Sequence, residues 1–261
     1  MKWYCAVRSA RFVIIITLFF SGCAGLIPGR HPLPEVKPEI LKHNIQNHVN
    51  KLHSLQARAQ ITAASREGAF SGTLTMTAKP PDSLYMKIEG PLGIDLGSTL
   101  FFGDSVLIYS AWDNLLFKGK TGVLGINIVL PIASNPPDFL SRIPGLLLPV
   151  INLHFPLESY TIDGRHYKYQ YINGETFFVS PKGPVVDRWE KRDMFNELTW
   201  SWEGDKYRKT GGIHLPYLIR LTEHQVKQRL TIYFKSIKVN RTLKTGWCDF
   251  EIPEGVETIE F

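Results

Sequence analysis

The sequence predicts an α+β fold that is mainly β. It reads as one large, strongly curved antiparallel sheet with an N-terminal helix and a lid of short helices over its apolar concave face. Three patterns carry this. From Leu55 onward apolar and polar residues alternate, the period of half-buried strands. Before them, after Pro38, apolar residues recur every three or four positions, the period of one helical face. Between Gly122 and Phe155 a run of aliphatic residues is cut repeatedly by proline.

The chain opens with a segment outside this domain. Lys2, Arg8 and Arg11 precede an apolar run from Phe12 to Phe20, followed by the small residues Ser21 and Gly22. That is the three-part layout of a secretory signal, and the run is too short to span a bilayer, which takes roughly 20 apolar residues. Phe20-Ser21-Gly22-Cys23 resembles the lipobox of bacterial lipoproteins, with Phe where Leu is usual. The resemblance implies that residues 1–22 are a signal peptide and that Cys23 becomes an acylated first residue, carrying palmitate or similar chains. Each acyl chain contributes about 0.8 kcal/mol per buried methylene, so several on one cysteine hold a protein on its membrane without a spanning helix. Ala24, not Asp, follows Cys23; by the sorting rules of that class the expected location is the outer membrane, lipid-anchored on its periplasmic face. Of three cysteines, Cys5 leaves with the signal and Cys23 is taken by lipid, so Cys248 has no disulfide partner in the mature chain.

Residues 23–37 form the lipidated cysteine and a tether, rich in Pro28, Gly29, Pro32 and Pro34. The remainder, 38–261, reads as one domain. Leu41, Ile45, Val49 and Leu52 mark the buried stripe of its helix. His43, His48 and His53 fall among them without a carboxylate or cysteine at ligand spacing, and read as solvent-facing or half-buried helix residues, not metal ligands.

The alternating segments follow in order: Leu55 to Ala63, Phe70 to Met76, Leu84 to Ile88, Thr99 to Phe102, Val106 to Tyr109 and Leu115 to Lys118. Pro-Pro-Asp, Gly-Asp and Trp-Asp-Asn turns join them. After the interruption come Tyr160 to Ile162, Tyr167 to Tyr171, Phe177 to Ser180, Val185 to Lys191, Leu198 to Trp202, Ile213 to Leu221 and Leu230 to Val239. In the interruption Ile126, Val129, Phe139, Ile143 and Leu147 are the apolar residues, Pro131, Pro136, Pro137, Pro144 and Pro149 the breaks, and Asp138 a possible cap. Short helices lying against the hollow side of the sheet are expected.

Basic residues number 30 and acidic residues 24; three of the basic ones precede Cys23, leaving 27 against 24 in the mature chain. The late basic cluster from Lys227 to Lys244 is spread along an alternating strand, as a solvated face would be, so no nucleic-acid partner is expected. Catalytic signatures are missing. Gly119-Lys120-Thr121 lacks the first glycine of a phosphate loop, which would stand at Asn114, and no G-x-S-x-G, H-E-x-x-H or C-x-x-C occurs. Asp187 and Glu190, among Arg188, Lys191 and Arg192, read as surface ion pairing instead of a catalytic dyad. Asn240-Arg241-Thr242 matches a glycosylation acceptor of no consequence in most bacterial envelopes.

A wider resemblance rests on ordered segments: Phe70-Ser71-Gly72-Thr73-Leu74, then Leu84 through Ile88-Glu89-Gly90-Pro91-Leu92-Gly93, Leu100-Phe101-Phe102-Gly103-Asp104, Val106-Leu107-Ile108, Ile143-Pro144-Gly145-Leu146-Leu147, Leu215-Pro216-Tyr217-Leu218-Ile219, and Leu230 to Phe234. Together they resemble the LolA/LolB superfamily, and within it the LolB type of outer-membrane lipoprotein receptor. The resemblance implies an unclosed β-barrel with a helical lid over a cavity for acyl chains. It also implies no enzymatic chemistry, no cofactor and no metal. The expected partners are membrane lipid through Cys23 and the acyl chains of lipoproteins or a periplasmic carrier, with the chain itself a monomer. In LolB the leucine of the Pro-Leu-Gly loop serves membrane insertion; Leu92 takes that place here, with Ile94 and Leu96 beside it. Two other readings stand beside a lipid carrier: an envelope scaffold with a filled core and a hydrolase.

Overall fold

The computed structural model describes residues 33–66, 68–120, 145–151 and 155–260. Helix α1 (Pro38–Val49) begins on a proline, whose missing N–H costs nothing in the first turn, and buries Leu41, Ile45, His48 and Val49. The helix stripe thus falls where its period places it. Asn240 fixes the turn that follows: its side chain accepts from the His53 N–H (2.8 Å) and donates to the Lys51 carbonyl (2.8 Å). The apparent glycosylation acceptor is therefore occupied with backbone.

Six strands then run as a meander: β1 (Leu55–Ser65), β2 (Gly68–Lys79), β3 (Ser83–Glu89), β4 (Asp95–Phe102), β5 (Ser105–Ser110) and β6 (Leu115–Lys120). After the interruption come β7 (Leu157–Asp163), β8 (His166–Tyr171), β9 (Glu175–Val179), β10 (Val186–Arg192) and β11 (Leu198–Asp205). The chain continues through the small pair β12 (Arg208–Thr210) and β13 (Ile213–Leu215), then β14 (Leu218–Glu223), β15 (Gln228–Val239) and β16 (Glu257–Glu260). Fourteen strands form one sheet in the order β16-β6-β5-β4-β3-β2-β1-β15-β14-β11-β10-β9-β8-β7. Every ladder is antiparallel except β16 with β6. The sheet does not close: β7 and β16 are its edges. The segment read as one strand from Ile213 to Leu221 is divided at Pro216, and its halves join different sheets. Proline cannot donate to a ladder, which explains the break.

Alternation sorts the sheet into two faces. Leu55, Ala57, Ala59, Ile61 and Ala63 point to the inner face of β1, opposite Met76 and Leu74 on β2 and Ile232 and Phe234 on β15. The row continues through Trp202, Trp189, Phe177 and Tyr169, which are paired across successive strands. These side chains are buried. Helix α1 lies on this face, because Tyr169 donates its hydroxyl to the Pro38 carbonyl (2.7 Å) and Tyr160 donates to the Val36 carbonyl (2.7 Å). On the outer face Lys235 and Lys238 are exposed, a solvated basic surface. The tail after β15 crosses the outer side, where Phe250 meets Tyr85 edge-on at 6.5 Å before β16 reaches the β6 edge. Two compact units divide the chain, Met1–Pro34 and Glu35–Phe261; everything described above belongs to the second except residues 33 and 34.

Candidate functional site: the hollow of the sheet and its rim

The hollow has two unlike halves. Under α1 its floor is aromatic: Tyr160, Tyr167, Tyr169, Tyr171 and Phe177 lie close together, with Tyr160 and Tyr169 centroids 4.9 Å apart. Burial raises the Tyr169 phenol above its ordinary range and pushes Tyr171 up to about 12, because a phenolate would lose its water there. The Tyr171 hydroxyl has no hydrogen-bond partner among the described residues. From β1 to β4 the floor is mainly aliphatic instead: the small or pliable Ala57, Ala59, Ala63, Ala78, Gly97, Met76, Met86 and Thr99 stand among the larger Leu55, Ile61, Leu74, Leu84, Ile88 and Phe101. Small side chains leave room above their own positions, and thioethers adapt to irregular neighbours.

Of the interruption, residues 145–151 are described. Leu146, Leu147, Leu148 and Ile151 are buried, and the Trp202 indole donates to the Leu146 carbonyl at 3.1 Å. Because Trp202 belongs to the inner row, this piece lies against the hollow side, as its composition requires. It forms a turn there, not a helix. Leu147 is fully buried. Cys23, Ile126, Val129, Phe139 and Ile143 lie outside the described residues.

At the end of β3, Gly90 donates to the Ile94 carbonyl (2.8 Å) and Gly93 to the Gly90 carbonyl (3.2 Å), forming a tight turn, Pro91–Gly93. Leu92 sits at its apex with φ of 62° and is 100% exposed; Ile94 is 62% exposed. A left-handed conformation costs an L-residue roughly 1–2 kcal/mol, so holding an exposed leucine there needs a reason outside folding. Leu96 behaves differently. It is half-buried, and its side chain closes over Gly90, where an added Cβ would meet it at 3.2 Å. The Lys87–Asp95 ion pair (2.8 Å) braces the same turn.

The chain has no matching family model and no matching curated protein. Solved structures do match. A DUF1329-family protein from Desulfovibrio piger superposes with a TM-score of 0.58 at 12% identity, covering 80% of this chain and 95% of its own. A domain assigned to outer-membrane lipoprotein sorting from Vibrio parahaemolyticus gives 0.60 at 8% identity, with 80% and 95% covered. A LolA-superfamily protein from Nitrosomonas europaea gives 0.56 at 10% identity, with 82% and 98% covered. The fold is LolA-like. At these identities the likeness concerns architecture, and the LolA-like half-barrel here carries its own side chains.

Two placements in this LolA-like sheet differ from expectation. Asp187 is not part of a surface ion-pair row: it occupies a β-bulge between Val186 and Arg188, and pairs with His166 at 3.0 Å. Burial raises its pKa, and His166 opposes that rise. Glu190 alone pairs with neighbouring arginines, Arg188 and Arg192. His48 is fully buried where a solvent-facing or half-buried residue was expected; its Nε2 accepts from the His214 N–H at 3.0 Å. His43 and His53 are exposed. Among the described residues no group of three or more His, Cys, Asp or Glu is placed to hold a metal. Sequence reasoning missed the Trp202 anchor, the two tyrosine bonds to the tether end, and the His48–His214 pair. None has a local signal, since each partner is more than 50 residues away.

Proposed function

We propose that this protein is a lipoprotein of the bacterial envelope that takes acyl chains of lipids or lipoproteins into the hollow of its half-barrel and assists their transfer to the outer membrane. Acylated Cys23 anchors it on the periplasmic face, and no covalent chemistry or cofactor is involved. One observation carries the reading: the inner face from β1 to β4 is apolar, with small Ala57, Ala59, Ala78 and Gly97 and deformable Met76 and Met86 set among larger aliphatic residues. An acyl chain needs an apolar surface without directional groups, and a face of this composition suits one. The LolA-superfamily likeness and the exposed Leu92 agree with it.

A filled-core envelope scaffold is the second reading, favoured by the burial of the inner-face residues from Leu55 to Ile237. Native mass spectrometry of the chain purified from membranes decides between them. The carrier reading expects a bound acyl lipid or lipoprotein, lost in a folded Ala57→Phe variant whose larger side chain raises the floor. A chain that retains no lipid and co-purifies with a stoichiometric protein partner supports the scaffold and overturns the carrier.

A further inference from the structure

The two ends of the sheet differ in kind. Six hairpin turns lie at one end, at residues 66, 90–94, 111–114, 172–174, 193–197 and 224–227, as strand direction and register place them. Five of them expose a large apolar side chain: Leu92 and Ile94, Trp112 (86% exposed), Ile172 (63%), Met194 and Phe195 (89% and 79%), and Val226. Arg66 is exposed in the sixth. At the opposite end the turns at 80–82, 103–104, 164–165 and 180–185 present Asp82, Asp104, Arg165 and Lys182; the exposed apolar residues there, Phe102 (59%) and Ile162 (41%), stand on the flanking strands and not at a turn.

The apolar tips are not loose ends. Asp193 accepts from the N–H groups of Phe195 (2.9 Å) and Glu197 (3.0 Å), and Arg192 donates to the Asn196 carbonyl (3.0 Å), so that turn is built to hold Met194 and Phe195 outward. Ser110 and Asp113 fix the Trp112 turn at 2.8 Å. Lys191 binds the Asn173 carbonyl at 2.7 Å beneath Ile172.

We propose that this whole rim, not the Leu92 turn alone, is a membrane-contacting edge that seats the half-barrel on the headgroup region of a lipid bilayer. The spacing favours a bilayer over a protein. Trp112 and Ile172 are ten strand spacings apart in the sheet order, about 48 Å along the arc. A protein partner would meet a contiguous apolar patch, whereas separate one- or two-residue tips on polar turns suit a fluid surface that fills in around each. Trp at such a tip is the side chain that favours the membrane–water interface, and exposed Arg66, Lys227 and Arg229 stand where headgroup phosphates would lie. The tether fits too. Val36 is held at Tyr160, midway along edge strand β7, and the 13 residues from Ala24 to Val36 reach about 40 Å when extended. A rim a few residues from Tyr160 can therefore touch the same bilayer that holds Cys23.

The inference rests on the anchored reading proposed above, and the test separates the two. Single cysteines at Trp112, Ile172 and Phe195, and at Asp104 and Lys182 as controls, are introduced into the full lipidated chain carrying Cys248→Ser and labelled with an environment-sensitive fluorophore. The protein is reconstituted on vesicles of phosphatidylethanolamine and phosphatidylglycerol containing a nitroxide-bearing lipid. The expected result is quenching and a blue shift at all three tips, several-fold above the two controls. Tips as wet as the controls on vesicle-bound protein overturn the rim and leave the anchor standing. Protein that does not float with vesicles overturns the anchor and the rim with it. Tip probes that turn dry without vesicles, in step with protein concentration, mean a second copy covers the rim and also overturn it.

Discussion

Replacing Trp202 with Phe should release the segment over the hollow before it unfolds the sheet. The indole is fully buried and donates to the Leu146 carbonyl at 3.1 Å. Phenylalanine keeps the ring but removes the donor, so a net bond of about 1 kcal/mol is lost and a buried carbonyl is left unpaired, a further penalty of about 1–3 kcal/mol. The smaller ring leaves roughly 40 Å³ unfilled, about 1 kcal/mol at 24 cal/mol per Å³. Partial relaxation makes the sum about 2–4 kcal/mol. In urea this is a midpoint lowered by about 1 M, given a slope of about 3 kcal/mol/M. The distinguishing measurement is amide hydrogen exchange of the full chain. In Trp202→Phe, protection across 145–151 should fall by more than the global stability does. Phe234→Leu, a core truncation on β15 with no bond to that segment, should lower protection everywhere alike. Equal patterns in the two variants would refute the anchoring role.

Three further outcomes are expected. Burial lowers the pKa of His48, opposed only in part by the His214 carbonyl; the unfolded chain therefore takes up a proton near pH 6.5 that the native state resists. The stability this leaves in place above pH 6.5 is lost as pH falls through the depressed native value, and His48→Gln should flatten that acid slope in urea titrations between pH 5 and 7. Leu92→Gly relieves a left-handed leucine, so thermal melting should show a change from neutral to about 1 kcal/mol more stable, while transfer of lipoprotein to membranes falls; a large destabilisation would mean that Leu92 serves the fold. Tyr171→Phe removes a buried hydroxyl without a partner among the described residues and should stabilise the domain by about 1 kcal/mol in urea denaturation; a loss of that size would show that the hydroxyl has a partner.

The period-two segments were legible because a sheet with one wet face imposes its alternation on every strand; Ala57, Ala59, Ile61 and Ala63 fall on the inner face as their spacing requires. Two strands were not legible for physical reasons. β16 is exposed at all four positions, so burial leaves no pattern in it. β12 has three residues, too few for a period. The start of β4 was hidden by Gly97, which has no side chain to alternate and leaves no room for one, an added Cβ falling against the Tyr109 carbonyl. At the site, the Leu92 turn could be located from Pro91 and Gly93, but Leu96 could not be separated from Leu92 and Ile94. Its fate depends on a bulge between Ile88 and Glu89 that turns one residue back over Gly90. The Trp112 tip reads as part of an ordinary Trp-Asp-Asn turn, and Met194 and Phe195 carry no pattern of their own. Only strand direction shows that they share an end.

Topology and composition both bear on how residues 145–151 come to lie against the hollow side. β6 and β7 run in the same direction at opposite sides of the sheet, so no hairpin can join them, and a parallel connection needs a crossover. The chain leaves β6 at the polar end and enters β7 at the apolar end, 36 residues later. Within that connection, residues 145–151 are held against the hollow side. Lifting residues 145–151 would expose Leu146, Leu147, Leu148 and Ile151, at about 1.5–3 kcal/mol each, besides the Trp202 bond; the total, about 6–12 kcal/mol, rivals the stability of a whole domain. On the carrier reading, the lowest-cost entry leaves 145–151 in place, and amide exchange across those residues should then be equally slow with and without a bound acyl chain. A ligand-dependent loss of protection there would show that this piece moves and that the burial argument overstates its hold.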